Sequence, residues 1–279
     1  MKTVVFTDLD ATLLDSDTYS WAPATNALQA LKDRRASIIL VSSKTFAEME
    51  PLHGELGLDG PFVVENGGGI VFRSEMPIAR QLQGFGKATE LAPKSNFLIL
   101  PLGVRYEDLV AALSEISVET AIPLKGFATM SVEEVASLTG LGIREAERAR
   151  IRDFDEPFLV PEFAGMRENA IEKAARHRGL TIVHGSRFWH LIGHDGKGRA
   201  VSLLIEAFRR VYGNPVTIGL GDSPNDYPFL ELVDIPVVVG AADREITLPY
   251  SLTKARLTSE SGPKGWNGAI LAWLSEVQT

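Results

Sequence analysis

The chain contains no cysteine. Disulfides, thiolate metal sites and cysteine nucleophiles are therefore excluded, and any chemistry must come from oxygen and nitrogen groups. Cations are in the minority: 28 Lys and Arg stand against 36 Asp and Glu, a formal net charge of −8 with a pI near 5.3. That balance opposes adhesion to nucleic acid or to an anionic membrane surface, so neither is an expected partner. No run of about 18 apolar residues occurs, which removes a membrane span. The amino-terminal stretch turns acidic at Asp8, too early for the apolar region of a signal peptide, and the expected compartment is the cytoplasm. His53, His177, His184 and His194 are scattered without metal-ligand spacing, so no histidine is assigned to a metal.

What is present describes a globular chain. Over 279 residues, 45% are hydrophobic and 23% charged, with no repeat or low-complexity tract, and the length suits one core plus a smaller second unit. Thr3 to Thr7 is apolar on both faces and stops abruptly at Asp8, the pattern of a buried parallel strand. Helical spacing over 23–32 and a second apolar strand over 38–41 complete a βαβ pattern. Thr45 with Glu48 forms a capping box that opens a helix to about residue 56, and a third apolar strand spans 62–64.

From about Gly84 the segments shorten, with a strand over 97–100, a second capping box at Ser131 and Glu134, and a charged amphipathic helix over 168–178. After Lys197 the α/β rhythm returns: helices over 200–212 and 227–232, strands over 216–220 and 235–239, and a last helix over 266–277. The expected fold is α/β, a doubly wound, mainly parallel sheet interrupted by an inserted α+β unit. The expected boundaries are 1–83 and 193–279 for the core and 84–192 for the insertion.

In open parallel sheets, ligands bind beyond the carboxyl ends of the strands. Three such ends here read Asp8-Leu9-Asp10-Ala11-Thr12, Ser42-Ser43-Lys44-Thr45 and Gly221-Asp222-Ser223-Pro224-Asn225-Asp226. Clustered carboxylates repel one another unless a cation sits among them, and an oxygen-only donor set suits Mg²⁺. Two aspartates one residue apart can face one space in different environments, one ionised and the other protonated at neutral pH. A lone Asp-x-Asp is more often a turn or a helix cap; three matching strand ends reverse that.

These residues resemble the haloacid dehalogenase superfamily of aspartate-nucleophile phosphatases. Asp8-Leu9-Asp10-Ala11-Thr12-Leu13 is similar to its first motif, Ser42 to its second, Lys197 within Asp195-Gly196-Lys197-Gly198 to its third, and Gly221 to Asp226 to its fourth. The long insertion resembles the cap of the Cof-type branch. Core and cap stretches, including Val41-Ser42-Ser43-Lys44-Thr45, Val64-Glu65-Asn66-Gly67-Gly68, Arg152-Asp153-Phe154-Asp155-Glu156 and Gly185-Ser186-Arg187-Phe188-Trp189-His190, look like those of mannosyl-3-phosphoglycerate phosphatases. Ala11 departs from the pattern, which usually has Gly there; this matters if the position needs positive φ.

The resemblance implies an Mg²⁺-dependent hydrolysis of a small phosphorylated glycoside. Asp8 would be the nucleophile and Asp10 the acid and base. Asp8, Asp222 and the backbone carbonyl of Asp10 would hold the ion. Ser42, Ser43, Lys197 and Asn225 would bind phosphate, with Thr12 and Asp226 in support. Glu65, Asn66, Arg152, Glu156, Ser186, Arg187 and His190 are the expected contacts to sugar hydroxyls and carboxylate. Strand alternation also allows His190 simply to pack beside Phe188. The alternatives are a glucosyl-3-phosphoglycerate or other sugar phosphate as substrate, and a non-catalytic binder of a phosphorylated ligand. Cap hinges are expected near Gly84 and Gly193. Nothing in the sequence marks an oligomeric state.

Overall fold

A computed structural model describes residues 2–91, 96–185, 187–193, 196–240 and 248–277. The chain begins with β1 (Thr3–Thr7), α1 (Thr25–Asp33), β2 (Ser37–Leu40), α2 (Phe46–Glu55), β3 (Phe62–Val64), β4 (Gly69–Arg73), α3 (Ala79–Gln83), β5 (Thr89–Glu90) and β6 (Phe97–Pro101). It continues with α4 (Tyr106–Thr120), β7 (Lys125–Gly126), α5 (Val132–Thr139), α6 (Ile143–Ala149), β8 (Asp155–Leu159), α7 (Glu168–His177), β9 (Thr181–His184) and β10 (Trp189–Ile192). It closes with α8 (Lys197–Tyr212), β11 (Val216–Gly221), α9 (Tyr227–Leu230), β12 (Ile235–Val238), β13 (Arg256–Leu257) and α10 (Gly262–Glu276).

The main sheet runs β13-β12-β11-β1-β2 and is parallel throughout. Successive residues of β1 point to opposite faces. Val5 packs with Leu28, Leu31 and Trp266 on one side; Val4 and Phe6 pack with Val201, Leu204 and Phe208 on the other. Burial on both faces is why this strand shows no polar alternation. Each such fully buried side chain contributes about 1.5–3 kcal/mol. The indole N–H of Trp266 donates to Thr7 Oγ1 at 3.0 Å, so α10 is tied to β1 one residue before Asp8. That helix begins at Gly262, earlier than the apolar pattern indicates, because Pro263 fits a helix's first turn.

A second sheet, β3-β4-β6-β5, is antiparallel and joins the main one through a bridge between Val41 and Val63. Thus β5 and β6 belong with β3 and β4, and a boundary at residue 84 would cut through a sheet. We place the start of the insertion after Pro101. Leu102 and Gly103 both donate to Gly68 O, and the return crossing lies alongside, where a Cβ on Gly193 would come within 2.2 Å of Val104.

The insertion has its own antiparallel sheet, β7-β8-β10-β9. Leu109, Leu113 and Ile116 of α4 and Ile171 of α7 pack against Phe158 and Leu191 of that sheet. A separate cluster joins Phe127, Val135, Ala146 and Phe188, with the Phe127 and Phe188 rings edge to face at 4.9 Å. No helix among the described residues is long and apolar enough to cross a membrane.

Candidate active site

Strand register brings the acidic residues together. Thr7 is level with Leu220 of β11 on one side and with Leu40 of β2 on the other. The next residues along, Asp8, Gly221 then Asp222, and Val41 then Ser42, therefore emerge at one sheet edge. Gly221 is required at this edge, because a Cβ there would meet the Asp226 side chain at 2.5 Å.

Lys197 begins α8 and is 2% exposed, among the most buried large side chains of the protein. Its ammonium lies 2.5 Å from Asp8 Oδ1 and 2.6 Å from Asp226 Oδ1. The other oxygen of Asp226 accepts from the backbone N–H groups of Asp222 and Ser223 and from the Ser223 hydroxyl. Thr12 donates to Asp222 Oδ1 at 3.1 Å. Thr12 and Asp226 thus hold the carboxylates in place, and Asp226 orients Lys197 directly. Asn225 accepts from the Ser223 hydroxyl at 2.5 Å.

One carboxylate oxygen each from Asp8, Asp222 and Asp226 lies within 4.8 Å of the others. Burial pushes the Asp8 carboxyl well above its ordinary range, and repulsion from Asp226, Asp222 and Asp10 adds to this against the pull of Lys197. Burial works against the Lys197 charge, but Asp226 and Asp8 outweigh it and hold the ammonium charged. A single ammonium among these acids leaves an excess of negative charge, and the donors are hard oxygens. The set fits a hard divalent cation such as Mg²⁺.

Asp10 is set apart. Its side chain is 44% exposed and ion-paired with Lys44 Nζ at 3.0 Å, so its carboxylate does not join the cluster. Ala11 has φ of 59°, the left-handed conformation that glycine adopts without strain. This is the departure noted in the first motif, and the turn that aims Asp10 carries its cost. Ala11→Gly should therefore stabilise the protein by about 0.5–1 kcal/mol, strain relief partly offset by the looser unfolded chain. A urea titration showing a loss of stability would refute this.

Above the cluster lies a cavity of about 240 Å³. Asp8, Asp10, Ser43, Lys44, Asp222 and Asn225 line it from the core, and Phe127, Leu141, Arg187, Phe188 and His190 from the insertion. His190 Nδ1 lies 2.9 Å from Asp155 Oδ2, and Asp155 is fully buried. Burial works against the Asp155 charge, but His190, Arg152 and the amide of Asn66 hold the carboxyl below its usual range. Nδ1 therefore carries the proton, and Nε2 is turned toward Gly185, where a Cβ would stand 3.0 Å from it. His190 does share the Phe188 side of its strand, while Trp189 and Leu191 pack with α4 and α7.

Other expected sugar contacts are used differently. Glu65 accepts from the backbone N–H groups of Asp153, at 3.1 Å, and Phe154, at 2.8 Å. Asn66 donates to Asp155 Oδ2 at 2.9 Å. Both have left-handed backbone, φ 50° and 55°, which turns them from β3 toward the insertion. Burial pushes the Glu65 carboxyl up to about 8, against Arg152 and the Phe154 amide. Arg152 lines the cavity, yet it donates to Asp155 O, Ala149 O and Ser43 O and pairs with the Asp155 carboxylate at 3.2 Å. Glu156 accepts from Tyr106 and from the Ala128 N–H. Glu65, Asn66 and Arg152 therefore bind the insertion to the core, and Glu156 braces the insertion internally. Arg187 donates to Thr139 O. Ser42 is buried at the strand end, where its hydroxyl accepts from the Lys44 N–H. Ser186 lies outside the described residues. Lys44 follows the second strand end and carries no signal of a role in the sequence; its adjacency to Asp10 depends on two strand ends meeting in space.

Residues 5–89 match the family model for haloacid dehalogenase-like hydrolases. A protein of Methanococcoides burtonii named glucosyl-3-phosphoglycerate/mannosyl-3-phosphoglycerate phosphatase is 37% identical over 271 residues, covering 97% of each chain. A protein of the same name from Persephonella marina is 36% identical over 280 residues, covering 99% of this chain and 98% of its own. Among solved structures, Thermoplasma acidophilum 0175 superposes with a TM-score of 0.66 at 19% identity, covering 98% of each chain. The sucrose-phosphatase of Synechocystis does so with a TM-score of 0.63 at 16% identity, covering 97% of each.

Proposed function

Because this chain belongs to the haloacid dehalogenase-like hydrolases and is a phosphatase related to the glucosyl-3-phosphoglycerate/mannosyl-3-phosphoglycerate phosphatases, we propose that it is an Mg²⁺-dependent phosphatase of glycosyl-3-phosphoglycerates. Mannosyl-3-phosphoglycerate and its glucosyl counterpart are its substrates, and the corresponding glycosylglycerate and phosphate its products. The observation that carries the chemistry is the buried Lys197 bridging Asp8 and Asp226, with Asp8 lining a cavity shared by core and insertion.

In the first step an oxygen of Asp8 forms a bond to phosphorus as the ester P–O bond breaks, giving an aspartyl-phosphate. Asp10 gives its proton to the departing glycerate oxygen; its partial exposure lets it exchange protons with water. In the second step water attacks phosphorus, Asp10 takes a proton from it, and Asp8 is released. Lys197 neutralises charge on the transferring group, while Ser42 and Ser43 supply hydrogen-bond donors at the neighbouring strand end. Asp8, Asp222 and the Asp10 carbonyl would hold Mg²⁺, with Asp226 beside them. Bound there, the ion would offset repulsion between Asp8 and the phosphate and stabilise the charge of the transition state. The insertion excludes water over the reacting atoms.

Phosphate release from a panel of esters tests this. The highest kcat/KM is expected for the two glycosyl-3-phosphoglycerates, with activity lost in excess chelator and restored by Mg²⁺. A plain hexose phosphate as best substrate would overturn the substrate and keep the chemistry. Binding without release, whether or not Mg²⁺ is present, would favour a non-catalytic phospholigand binder.

A further inference from the structure

Resting on that reading, we infer that Lys44 recognises the substrate carboxylate and thereby sets the preference for phosphoglycerate esters over esters lacking a carboxyl group. In a 3-phosphoglycerate ester only two carbon atoms separate the ester oxygen from the carboxyl carbon. Whatever side chain protonates that oxygen therefore stands next to the carboxylate. Asp10 occupies the first position, and Lys44 Nζ is 3.0 Å from it.

Among the described residues, no other cation forms an ion pair with Asp10. Arg152 spends its donors on Asp155, Ala149 and Ser43, and Lys197 is committed to Asp8 and Asp226. Arg187 reaches in from the insertion and bonds Thr139 O. Lys44 has three N–H donors. It faces Asp10, Glu48 at 3.9 Å and the ring of Tyr19 at 5.2 Å, and it lines the cavity. The backbone N–H of Thr45 holds Glu48 by its other oxygen at 2.9 Å, fixing that neighbour within the capping box of α2. With substrate bound, the ammonium turns from Asp10 to the carboxylate, and the Asp10 oxygen is released toward the ester. An ammonium on a side chain only 14% exposed, bonded to an anion, is worth about 10- to 100-fold in affinity.

The test is a calorimetric titration of Asp8→Asn protein, which binds without turning over, with Mg²⁺ present. The probes are 3-phosphoglycerate and glycerol 3-phosphate, which differ by the carboxylate. The expected result is a preference of at least about 10-fold for 3-phosphoglycerate. That preference should be lost on adding Lys44→Gln and largely kept on adding Lys44→Arg. Circular dichroism verifies the fold, and Lys44→Met serves if the Gln variant fails it. No preference in the Asp8→Asn protein, or one that Lys44→Gln leaves intact, overturns the assignment. If plain hexose phosphates win the turnover panel while the carboxylate preference still depends on Lys44, the glycoside reading fails and Lys44 stands.

Discussion

Asp8→Asn should reduce phosphate release by at least about 10³-fold while leaving the protein folded, because it removes the side chain proposed to form the covalent intermediate. The stability arm has a definite sign. Unfolded chain gives up the Asp8 proton near its ordinary value of 3.8, whereas burial and the surrounding acids keep it on in the folded state to higher pH. Between those values the folded protein binds more protons, so wild-type stability falls as pH rises. Asparagine has no such proton to lose. In chelator, the Tm of Asp8→Asn relative to wild type should therefore climb with pH from the carboxylate range upward. Full turnover by the variant would remove Asp8 from the mechanism, and a relative Tm that falls with pH would contradict the charge balance described here.

Lys197→Met should be costly in both respects. The methylene stem is nearly preserved, so the loss is that of the charge. Asp8 and Asp226 are left in a buried site with no ammonium between them, a change worth about 3–5 kcal/mol when one partner of a buried pair is removed. Turnover should fall about 10²–10³-fold, since a preorganised cation at the phosphoryl group is lost. Thermal unfolding and phosphate release, measured side by side, decide the matter. A variant with wild-type Tm would mean that the short Lys197 contacts contribute nothing net.

The carboxylate-bearing sheet edge is legible because its signals are local. Asp8 and Asp10 follow a strand that announces itself by five apolar or β-branched residues, and Thr45 with Glu48 forms both halves of the expected capping box. Ala11 was the one visible anomaly in the first motif, and it marks a left-handed turn. What could not be read is long-range. The strand over 97–100 is recognisable, but its pairing with β4 is not, since antiparallel partners 24 (Arg73 with Phe97) to 32 (Gly69 with Pro101) residues apart leave no periodic trace. Glu65 and Arg152 read in the sequence as contacts to substrate hydroxyls and carboxylate. Their bonds to backbone across 88 and 109 residues show that a buried charge can serve the join between two units as readily as a ligand. The same holds for Lys44, whose neighbour Asp10 belongs to another strand end.

The ties from Glu65, Asn66 and Ser43 to 152–155 add a third point of attachment to the two chain crossings beside Gly193. A body fastened at two adjacent points can swing freely, but a third fastening away from them confines it. Recombination among related enzymes would feel this first. A foreign insertion spliced in at the crossings alone would arrive without a match for Glu65 and Asn66, stranding polar groups where water does not reach. The unit that can be exchanged intact is therefore the insertion together with the loop after β3, and swaps of substrate preference by cap grafting should succeed only when both are moved.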